Sequence, residues 1–369
     1  MLQRIYAHNF RCLENFEFSL DGCSSALLIG KNGSGKSTLL EVLKIFQAIG
    51  GGETEVEKLV KSEDFFLGHS TAPVRFELEA QLDSHAFKYT LALELPENFY
   101  KLRIQEEQLV IDGEILFSRK QAQITLHCDS RQQFAAQFGM DWHRVALPVI
   151  QVPIPALDTF RNWLADMVLL APIPQLMSEE AKNGHTGKLD ENAANWSDWL
   201  SALLTRRPAA YAEISEYLSV IFPDFEELRF KPTSKKSTSI QVCFRHAGNQ
   251  IILPFKALSD GEKCFFLCAA VLAANRFDGP RFTFWDEPDS YLSIDEVSQF
   301  VLHLRRAFQQ TGQIVMTSHN SEAIRRFSDN NTWVMGRRSH LEPSVIRRLQ
   351  DLELKSDLIQ KLIDGDIEP

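Results

Sequence analysis

The chain has 369 residues, of which 44% are apolar and 24% charged, and its formal net charge at pH 7 is −10. These values are those of an ordinary globular protein large enough for two or three lobes, so the disordered class is excluded. The acidic balance excludes indiscriminate binding to nucleic acid, because neutralising phosphates requires clustered cations.

The longest uninterrupted apolar run covers residues 264–274. It is far shorter than the roughly 18 to 20 residues that cross a bilayer, and the N-terminus has no apolar signal-peptide core. We therefore expect a soluble, cytoplasmic protein without a membrane partner.

The first predicted elements are two strands, a glycine-rich loop and a helix within residues 1–50. The loop, residues 30–38, follows the apolar residues 26–29 and precedes the apolar-periodic residues 39–46. A strand before such a loop and a helix after it are the context of a phosphate-binding loop.

Each residue type in this loop has a chemical role in binding phosphate or Mg²⁺. Gly30, Gly33 and Gly35 let the backbone curl so that its N–H groups point at phosphate oxygens, where a helix N-terminus adds positive charge. Lys36 is expected to reach the β- and γ-phosphates, and the Ser37 hydroxyl to ligate Mg²⁺. The predicted nucleotide-binding residues of the loop are Gly30, Asn32, Gly33, Ser34, Gly35, Lys36, Ser37 and Thr38.

Alternating apolar and polar residues dominate the next segment, residues 74–128, for example over 74–80 and 89–95. Asp112 and Gly113 form a hairpin signal between two such runs. This pattern predicts an antiparallel sheet laid on the first lobe.

Helical periodicity replaces alternation over residues 155–220. Trp196, Trp199 and Leu200 fall on one apolar stripe, which we interpret as core and not as a ligand-binding box. From about residue 250 strands and helices alternate, which implies a parallel sheet.

A second anion-binding position is predicted at residues 258–263. Ser259 and Glu262 have the spacing of a capping box, so Ser259 is the expected N-cap of the apolar helix that follows. The N-terminus of that helix can receive an anion.

Two buried strands end in candidate catalytic side chains. Residues 282–285 lead to Asp286 and Glu287, of which the first is expected beside Mg²⁺ and the second beside the attacking water, as general base or water-orienter. Residues 313–318 lead to His319, whose imidazole can hydrogen-bond a γ-phosphate.

In this order, the four elements resemble the nucleotide-binding head of the ABC ATPase superfamily. The resemblance makes residues 30–38 the Walker A motif, residues 258–263 the signature motif, Asp286 and Glu287 the Walker B pair, and His319 the switch histidine. It implies a P-loop ATPase that hydrolyses ATP to ADP and phosphate with Mg²⁺.

The resemblance also implies a homodimer in which two heads sandwich two ATP molecules. Each ATP is bound by the Walker motifs of one protomer and by the signature residues Ser259 and Gly261 of the other. Glu287 and His319 are then the catalytic residues, and Ser37 and Asp286 hold the metal.

Residues 5–14 resemble the first strand and turn of the RecF, SMC and OLD branch of the superfamily. Arg11 matches an arginine that reaches the phosphates in that branch; the alternative is a surface arginine at a strand end. The length and residues 187–199 also resemble a family of short, stand-alone bacterial ATPases. Members are often found in anti-phage or genome-maintenance settings, and the resemblance implies such a setting here.

The expected fold class is therefore α/β, an ABC-type ATPase head. Residues 1–155 are predicted to form the first lobe with its antiparallel β subdomain, and residues 156–250 a helical insertion. Residues 251–369 are predicted to form a second lobe with a parallel sheet.

Two positions depart from the family pattern. Ser293 stands where the loop after the Walker B motif usually ends in an interface aspartate, although Asp295 is near enough in sequence to replace it. The glutamine that completes the Mg²⁺ shell in other heads is hard to place. Gln175 is one candidate, and the two prolines before it favour an ordinary loop.

Several functions fit these motifs. We favour an ATP-driven switch that gates a partner effector, such as a nuclease, or a nucleic acid, with a RecF-like DNA repair ATPase as the alternative. An OLD-type nuclease is disfavoured, since its only candidate metal pair, Asp364 and Asp366, lies in the last six residues. A DNA or RNA groove would have to come from separate basic residues. These are Arg305, Arg306, Arg325, Arg326, Arg337, Arg338, Arg347, Arg348, Lys231, Lys235 and Lys236.

Overall fold

The computed structural model describes residues 1–20, 22–97, 99–127, 136–182, 187–234, 237–327 and 329–352. Lys235, Lys236, Asp364 and Asp366, which bear on the nucleic-acid and nuclease alternatives, lie outside these residues. Within the described ranges, no helix has the length and apolar character needed to cross a membrane.

The secondary structure of the described residues mixes strands and helices. The strands are β1 (Leu2–His8), β2 (Phe16–Ser19), β3 (Ser25–Ile29), β4 (Val74–Leu82), β5 (His85–Glu94), β6 (Arg103–Ile111), β7 (Glu114–Lys120), β8 (Gln123–Leu126), β9 (Ala136–Gly139), β10 (Val168–Leu170), β11 (Glu180–Lys182), β12 (Phe225–Ser234), β13 (Ser237–His246), β14 (Asn249–Pro254), β15 (Phe282–Trp285), β16 (Gln313–Thr317), β17 (Thr332–Gly336) and β18 (Val345–Arg348). The helices are α1 (Lys36–Gly50), α2 (Val56–Leu59), α3 (Pro155–Ala165), α4 (Trp196–Arg206), α5 (Ala210–Ile221), α6 (Asp260–Phe277), α7 (Ile294–Gln310) and α8 (Ser321–Arg325).

The chain divides into two compact units. Unit 1 comprises Met1–Met167 and Asp329–Pro369, and unit 2 comprises Val168–Ser328. The three predicted lobes, with boundaries near residues 155 and 250, remain a prediction.

Among the described residues of unit 1, eight strands form an antiparallel sheet in the order β2-β1-β4-β5-β6-β7-β8-β9. Buried residues alternate with more accessible ones along β4, as a sheet with one face on a core requires. Between β6 and β7, Asp112 and Gly113 have φ values of 52° and 83°, the left-handed conformation of a type I′ hairpin turn. The predicted antiparallel subdomain and its hairpin are confirmed.

The glycine-rich loop of unit 1 lies between β3, which is wholly buried, and α1. β3 pairs in parallel with β17, and β17 pairs with β18 in antiparallel fashion. Phe46 of α1 meets Phe76 and Tyr89 of the antiparallel sheet with ring centroids 6.3 and 6.2 Å apart. These edge-to-face contacts hold the helix that begins at the loop against the sheet.

Unit 2 contains the parallel strands β10, β15 and β16, with Trp285 paired to Leu170 on one side and Met316 on the other. Helix α6 is buried almost throughout, and α7 buries one apolar face. The predicted parallel strands are thus present, and the α/β class is confirmed.

Residues 156–250 are helical only in part. Besides α3, α4 and α5 they contribute strands of an antiparallel sheet made by β11, β12, β13 and β14. Strand β13 contains Ile240 and Val242, both fully buried, and such β-branched residues favour a strand. Trp196 and Trp199 are buried core residues, and the Trp196 ring stacks on Phe255 at 5.4 Å.

Candidate active site

The backbone of the glycine-rich loop requires glycine at two crowded positions. A Cβ on Gly30 would lie 2.0 Å from the carbonyl oxygen of Met335, and a Cβ on Gly35 would lie 2.7 Å from the Met335 Cε. Gly35 is also the N-cap of α1, with φ at 105°, and it offers no side chain to cap the helix. The loop is thus packed tightly against β17 at the N-terminus of α1, the geometry suited to receive an anion.

Lys36 bends back over the loop. Its Nζ donates to the carbonyl oxygens of Gly30 at 2.6 Å and Lys31 at 3.3 Å, and the residue is buried. Ser37, the next residue, is exposed in the first turn of α1. Lys36 and Ser37 are therefore both present on the loop side of α1, as the predicted phosphate and Mg²⁺ roles require.

Arg11 lies in the turn after β1, with φ at 50°. Its Nε donates to Asp64 at 2.8 Å, and its guanidinium lies 5.4 Å from the Phe10 ring centroid. The next residue, Cys12, lies beside Gly35 and donates its thiol to Thr38 at 3.4 Å. The turn therefore borders the loop, and contact of Arg11 itself with phosphates stays a prediction.

In unit 2, the two acidic residues follow β15 and are held by β16. The Thr317 hydroxyl donates to Asp286 Oδ1 at 2.5 Å and accepts the backbone N–H of Glu287 at 2.9 Å. Glu287 has φ at 45°, a left-handed conformation that costs a non-glycine residue about 1–3 kcal/mol. One threonine thus orients Asp286 and secures the strained backbone of Glu287.

The two predicted catalytic side chains meet at the ends of β15 and β16. Glu287 Oε1 lies 3.2 Å from His319 Nε2, and each side chain is about 40% exposed. The Ser290 hydroxyl donates to the other carboxylate oxygen of Glu287 at 3.1 Å. This exposed acid–imidazole pair sits at the carboxyl ends of parallel strands, where α/β proteins bind their ligands.

A buried contact fixes the segments that follow these strands. Ser318 donates to Asp289 Oδ2 at 2.6 Å and accepts the backbone N–H of Asn320 at 2.9 Å. Burial raises the pKa of Asp289. The loops on either side of the Glu287–His319 pair are therefore tied together.

Ser259 is the N-cap of α6, as its spacing from Glu262 predicts. Its hydroxyl donates to Glu262 Oε2 at 2.7 Å and accepts the Glu262 N–H at 3.3 Å. A Cβ on Gly261 would lie 2.9 Å from the carbonyl oxygen of Tyr291, so the first turn of α6 packs against the loop after β15.

The two departures from the family pattern have structural explanations. Ser293 is the N-cap of α7 and forms a capping box with Glu296, a role that an aspartate could also fill. Gln175 lies in a short 3₁₀ turn, Pro174–Leu176, and its amide donates to Asp260. The structure thus connects Gln175 to the first turn of α6.

Thr317, Ser290 and Ser318 were missed by sequence reasoning. Thr317 and Ser318 act on residues about 30 positions earlier, a separation that leaves no short-range pattern, whereas Ser290 acts on Glu287 in the turn that precedes it. The one available signal is the polar Thr317-Ser318 pair between an apolar strand and His319.

Replacing Thr317 by valine is expected to lower kcat for ATP about tenfold, because the Glu287 N–H loses its acceptor and Asp286 its donor. ATP affinity should stay within about twofold. Thr283→Val is the matched control, since Thr283 is equally buried on β15 and its Oγ1 has no partner among the described residues. Steady-state ATPase assays check this, and equal rates for the two variants would refute the role given to Thr317.

Comparison with known proteins gives a family and a fold. The family model described as "AAA domain, putative AbiEii toxin, Type IV TA system" matches residues 25–325. No curated protein matches the sequence significantly.

Among solved structures, the chain is similar to an SMC head bound to the C-winged helix domain of ScpA. The identity is 14%, the match covers 95% of this chain and 98% of that one, and the TM-score is 0.57. It is also similar to an SMC head domain with an extended coiled coil, bound to the C-terminal domain of ScpA derived from Pyrococcus furiosus. There the identity is 11%, the match covers 95% of this chain and 97% of that one, and the TM-score is 0.54. At these identities the likeness shows the fold alone, and it confirms the expected α/β fold, which is similar to that of SMC heads.

Proposed function

The chain belongs to the AAA-domain family whose model matches residues 25–325, and from that premise we propose that it is a switch that binds ATP with Mg²⁺, closes as a homodimer and reopens after hydrolysis. The single observation that carries the proposal is the exposed Glu287–His319 pair, with 3.2 Å between Oε1 and Nε2. An acid beside an imidazole at strand ends is a means of handling a water molecule and a phosphate together.

The residues present fit Mg²⁺. The ion prefers hard oxygen ligands and is commonly bound by one or two carboxylates together with substrate phosphates. Asp286 offers a carboxylate oriented by Thr317, and Ser37 offers a hydroxyl at the phosphate loop. When bound, Mg²⁺ neutralises charge on the β- and γ-phosphate oxygens.

The chain's own side chains have separate tasks in hydrolysis. Lys36 exchanges the carbonyls of Gly30 and Lys31 for β- and γ-phosphate oxygens. Glu287 orients the attacking water and takes its proton, while His319 hydrogen-bonds the γ-phosphate. General-base catalysis of this kind contributes typically about 10²–10⁴-fold.

Dimerisation is assigned to the N-terminus of α6. Its first turn presents backbone N–H groups and Ser259, whose hydroxyl is held by Glu262. Docking on the partner's γ-phosphate requires Ser259 to exchange that carboxylate for a phosphate oxygen. The dipole of an 18-residue helix favours this exchange for a highly charged anion.

The closing motion serves a partner molecule. Two SMC heads of this fold were solved with domains of ScpA bound, and the family description names a type IV toxin–antitoxin system. We infer that ATP-dependent closure here gates an effector in a defence setting. A RecF-like role on DNA is the second candidate, supported by Arg337, Arg338 and Arg347, which line one cavity at the β17–β18 hairpin.

Ser259→Arg is expected to abolish ATP-dependent dimerisation in a Glu287→Gln background, because a bulky cation then occupies the docking position of the other head's γ-phosphate. ATP binding through Lys36 should persist. The measurement is the molar mass in excess ATP with and without Ser259→Arg.

Ser259→Ala is the control for the lost helix cap, which typically costs about 1 kcal/mol. It removes the same hydroxyl but leaves space for the phosphate, so more dimer should remain than with arginine. Indistinguishable masses for Glu287→Gln with and without Ser259→Arg would refute the composite site.

A further inference from the structure

A buried link accompanies the exposed Glu287–His319 pair in unit 2. The hydroxyl of Ser318, the residue before His319, donates to Oδ2 of Asp289 at 2.6 Å. Ser318 is fully buried and Asp289 is 5% exposed, whereas the side chains of Glu287 and His319 are each about 40% exposed. The loops after β15 and β16 are therefore joined by a contact that excludes water as well as by one that does not.

The buried link continues along the loop that carries His319. The Ser318 hydroxyl accepts the backbone N–H of Asn320 at 2.9 Å. The Asn320 side chain in turn accepts the N–H of Glu322 at 2.9 Å, in the first turn of α8. One hydroxyl, itself held by Asp289, thus fixes the backbone on both sides of His319.

The loop that carries Glu287 is a turn with backbone hydrogen bonds of its own. The N–H of Ser290 donates to the carbonyl oxygen of Glu287 at 3.2 Å, and that of Leu292 to the carbonyl oxygen of Asp289 at 3.1 Å. Burial raises the pKa of Asp289, which reflects the free-energy cost of keeping a carboxylate out of water, and the Ser318 hydroxyl lowers it. The contact with Ser318 therefore offsets part of the cost of burying Asp289.

The proposed function makes the exposed contact temporary. When His319 hydrogen-bonds the γ-phosphate, its Nε2 must leave Oε1 of Glu287, the atom that it contacts at 3.2 Å. During this exchange the imidazole depends on its backbone for its position. A displacement of about 1 Å in an active site can cost about 10²-fold in rate. The buried contacts of Ser318 do not have to open in this step.

We propose that Asp289 is a positioning residue for hydrolysis, which acts through Ser318 to hold His319 in place relative to Glu287 while His319 exchanges the carboxylate for the γ-phosphate. The inference rests on the proposed function and deepens it, since it names the residue that keeps the two catalytic side chains together. Asp289 is given no part in binding ATP or Mg²⁺.

The first test compares Asp289→Leu with Asp289→Asn in single-turnover hydrolysis at saturating ATP. Leucine keeps the approximate size of the side chain but cannot accept from Ser318, so kcat should fall about tenfold, the loss expected for one buried hydrogen bond. Asparagine keeps an oxygen acceptor and should restore part of the rate. ATP affinity and the amount of ATP bound per chain should not change, because Asp289 acts on His319 and not on binding.

Asp278→Leu is the matched control. The Asp278 carboxylate is also nearly buried, at 9% exposure of the side chain, but it lies before β15 and not after it. Its partners are Arg206, Arg207 and Arg281. Its replacement should lower stability and leave the rate per ATP-binding chain at the wild-type value.

The second test repeats Asp289→Leu in a His319→Ala background. A residue that acts by positioning His319 has nothing left to position there, so Asp289→Leu should lower the single-turnover rate no further. A general structural role would lower the rate by the same factor in both backgrounds. Ser318→Ala gives the same comparison if His319→Ala is too slow to measure or Asp289→Leu does not fold. Asp289→Leu or Asp289→Asn combined with Ser318→Ala should then be no slower than Ser318→Ala alone.

Three results would overturn the proposal. They are a wild-type rate for Asp289→Leu, an equal loss with and without His319, and a loss of rate that only matches a fall in the ATP bound per chain. Absence of ATP hydrolysis by the wild type would instead contradict the proposed function itself, so the two failures are distinguished.

Discussion

Glu287→Gln is expected to bind ATP with unchanged affinity and to hydrolyse it at least about 100-fold more slowly than the wild type. The amide keeps the size of the side chain, and its oxygen can still accept from Ser290, but it cannot take a proton from water. The carboxylate contact with His319 also becomes a contact with a neutral amide. Single-turnover hydrolysis and equilibrium ATP binding, measured on the same preparation, separate the two effects.

Three companion variants make this result specific. Lys36→Ala should lose ATP binding itself, because the cation for the β- and γ-phosphates is gone. Lys44→Ala in the same helix, which removes a half-buried pair with Glu41, should not. Glu216→Gln, an exposed glutamate on α5, controls for the loss of a carboxylate. Hydrolysis by Glu287→Gln at the wild-type rate would remove Glu287 from the mechanism.

The sequence predicted best those parts of the site that are encoded locally. The glycine-rich loop, the N-cap at Ser259 and the position of Asp286 and Glu287 at a strand end each depend on a few adjacent residues. Gly35 illustrates the physical reason, since its φ of 105° is a backbone conformation that glycine adopts far more readily than other residues. Chain-local constraints of this kind are visible in one sequence.

Interactions between distant segments could not be predicted. Nothing near Thr317 in the sequence indicates that its hydroxyl hydrogen-bonds to the Asp286 carboxylate and the Glu287 N–H. These residues lie 31 and 30 positions earlier in the chain. The strands within residues 225–254 were not predicted for a related reason. The helical periodicity ends before them, and β13 pairs with β12 on one side and β14 on the other. Arg337, Arg338 and Arg347 looked scattered in the sequence, and the structure places all three around one cavity at the β17–β18 hairpin.

The same limit applies to a buried polar cluster in unit 1, which no sequence pattern indicated. Glu107 and Arg119 have fully buried side chains 3.6 Å apart. The Glu107 carboxylate accepts the N–H groups of Ala146 and Leu147, both at 2.8 Å, and the Tyr89 hydroxyl at 2.9 Å. The cluster thereby fastens the segment after β9 to strands β5, β6 and β7.

Arg119→Met is expected to lower the free energy of unfolding by about 3–5 kcal/mol, the cost of leaving one member of a buried ion pair without its partner. The substitution also removes donors to the carbonyl oxygens of Gln121 at 2.6 Å and Asp141 at 2.8 Å. Arg75→Met on the same sheet is the control. Arg75 is one-third exposed in its pairs with Glu77 and Glu106, so its loss should cost about 1 kcal/mol or less. Urea-induced unfolding of the three proteins provides the comparison.

The pH dependence of this loss distinguishes an unpaired charge from a simple packing defect. Burial raises the pKa of Glu107 in the folded protein, while the nearby Arg119 charge lowers it, so removing Arg119 must raise it further. A carboxyl whose pKa is higher in the folded than in the unfolded state binds a proton more readily when the protein is folded. The free energy of unfolding therefore falls as pH rises through the folded-state pKa. The deficit of Arg119→Met should accordingly be largest at alkaline pH and shrink on acidification, as Glu107 takes up a proton and becomes neutral. A deficit that is the same at pH 5.5 and pH 8 would mean that Arg119 stabilises the cluster through packing and its carbonyl contacts, and not through its charge.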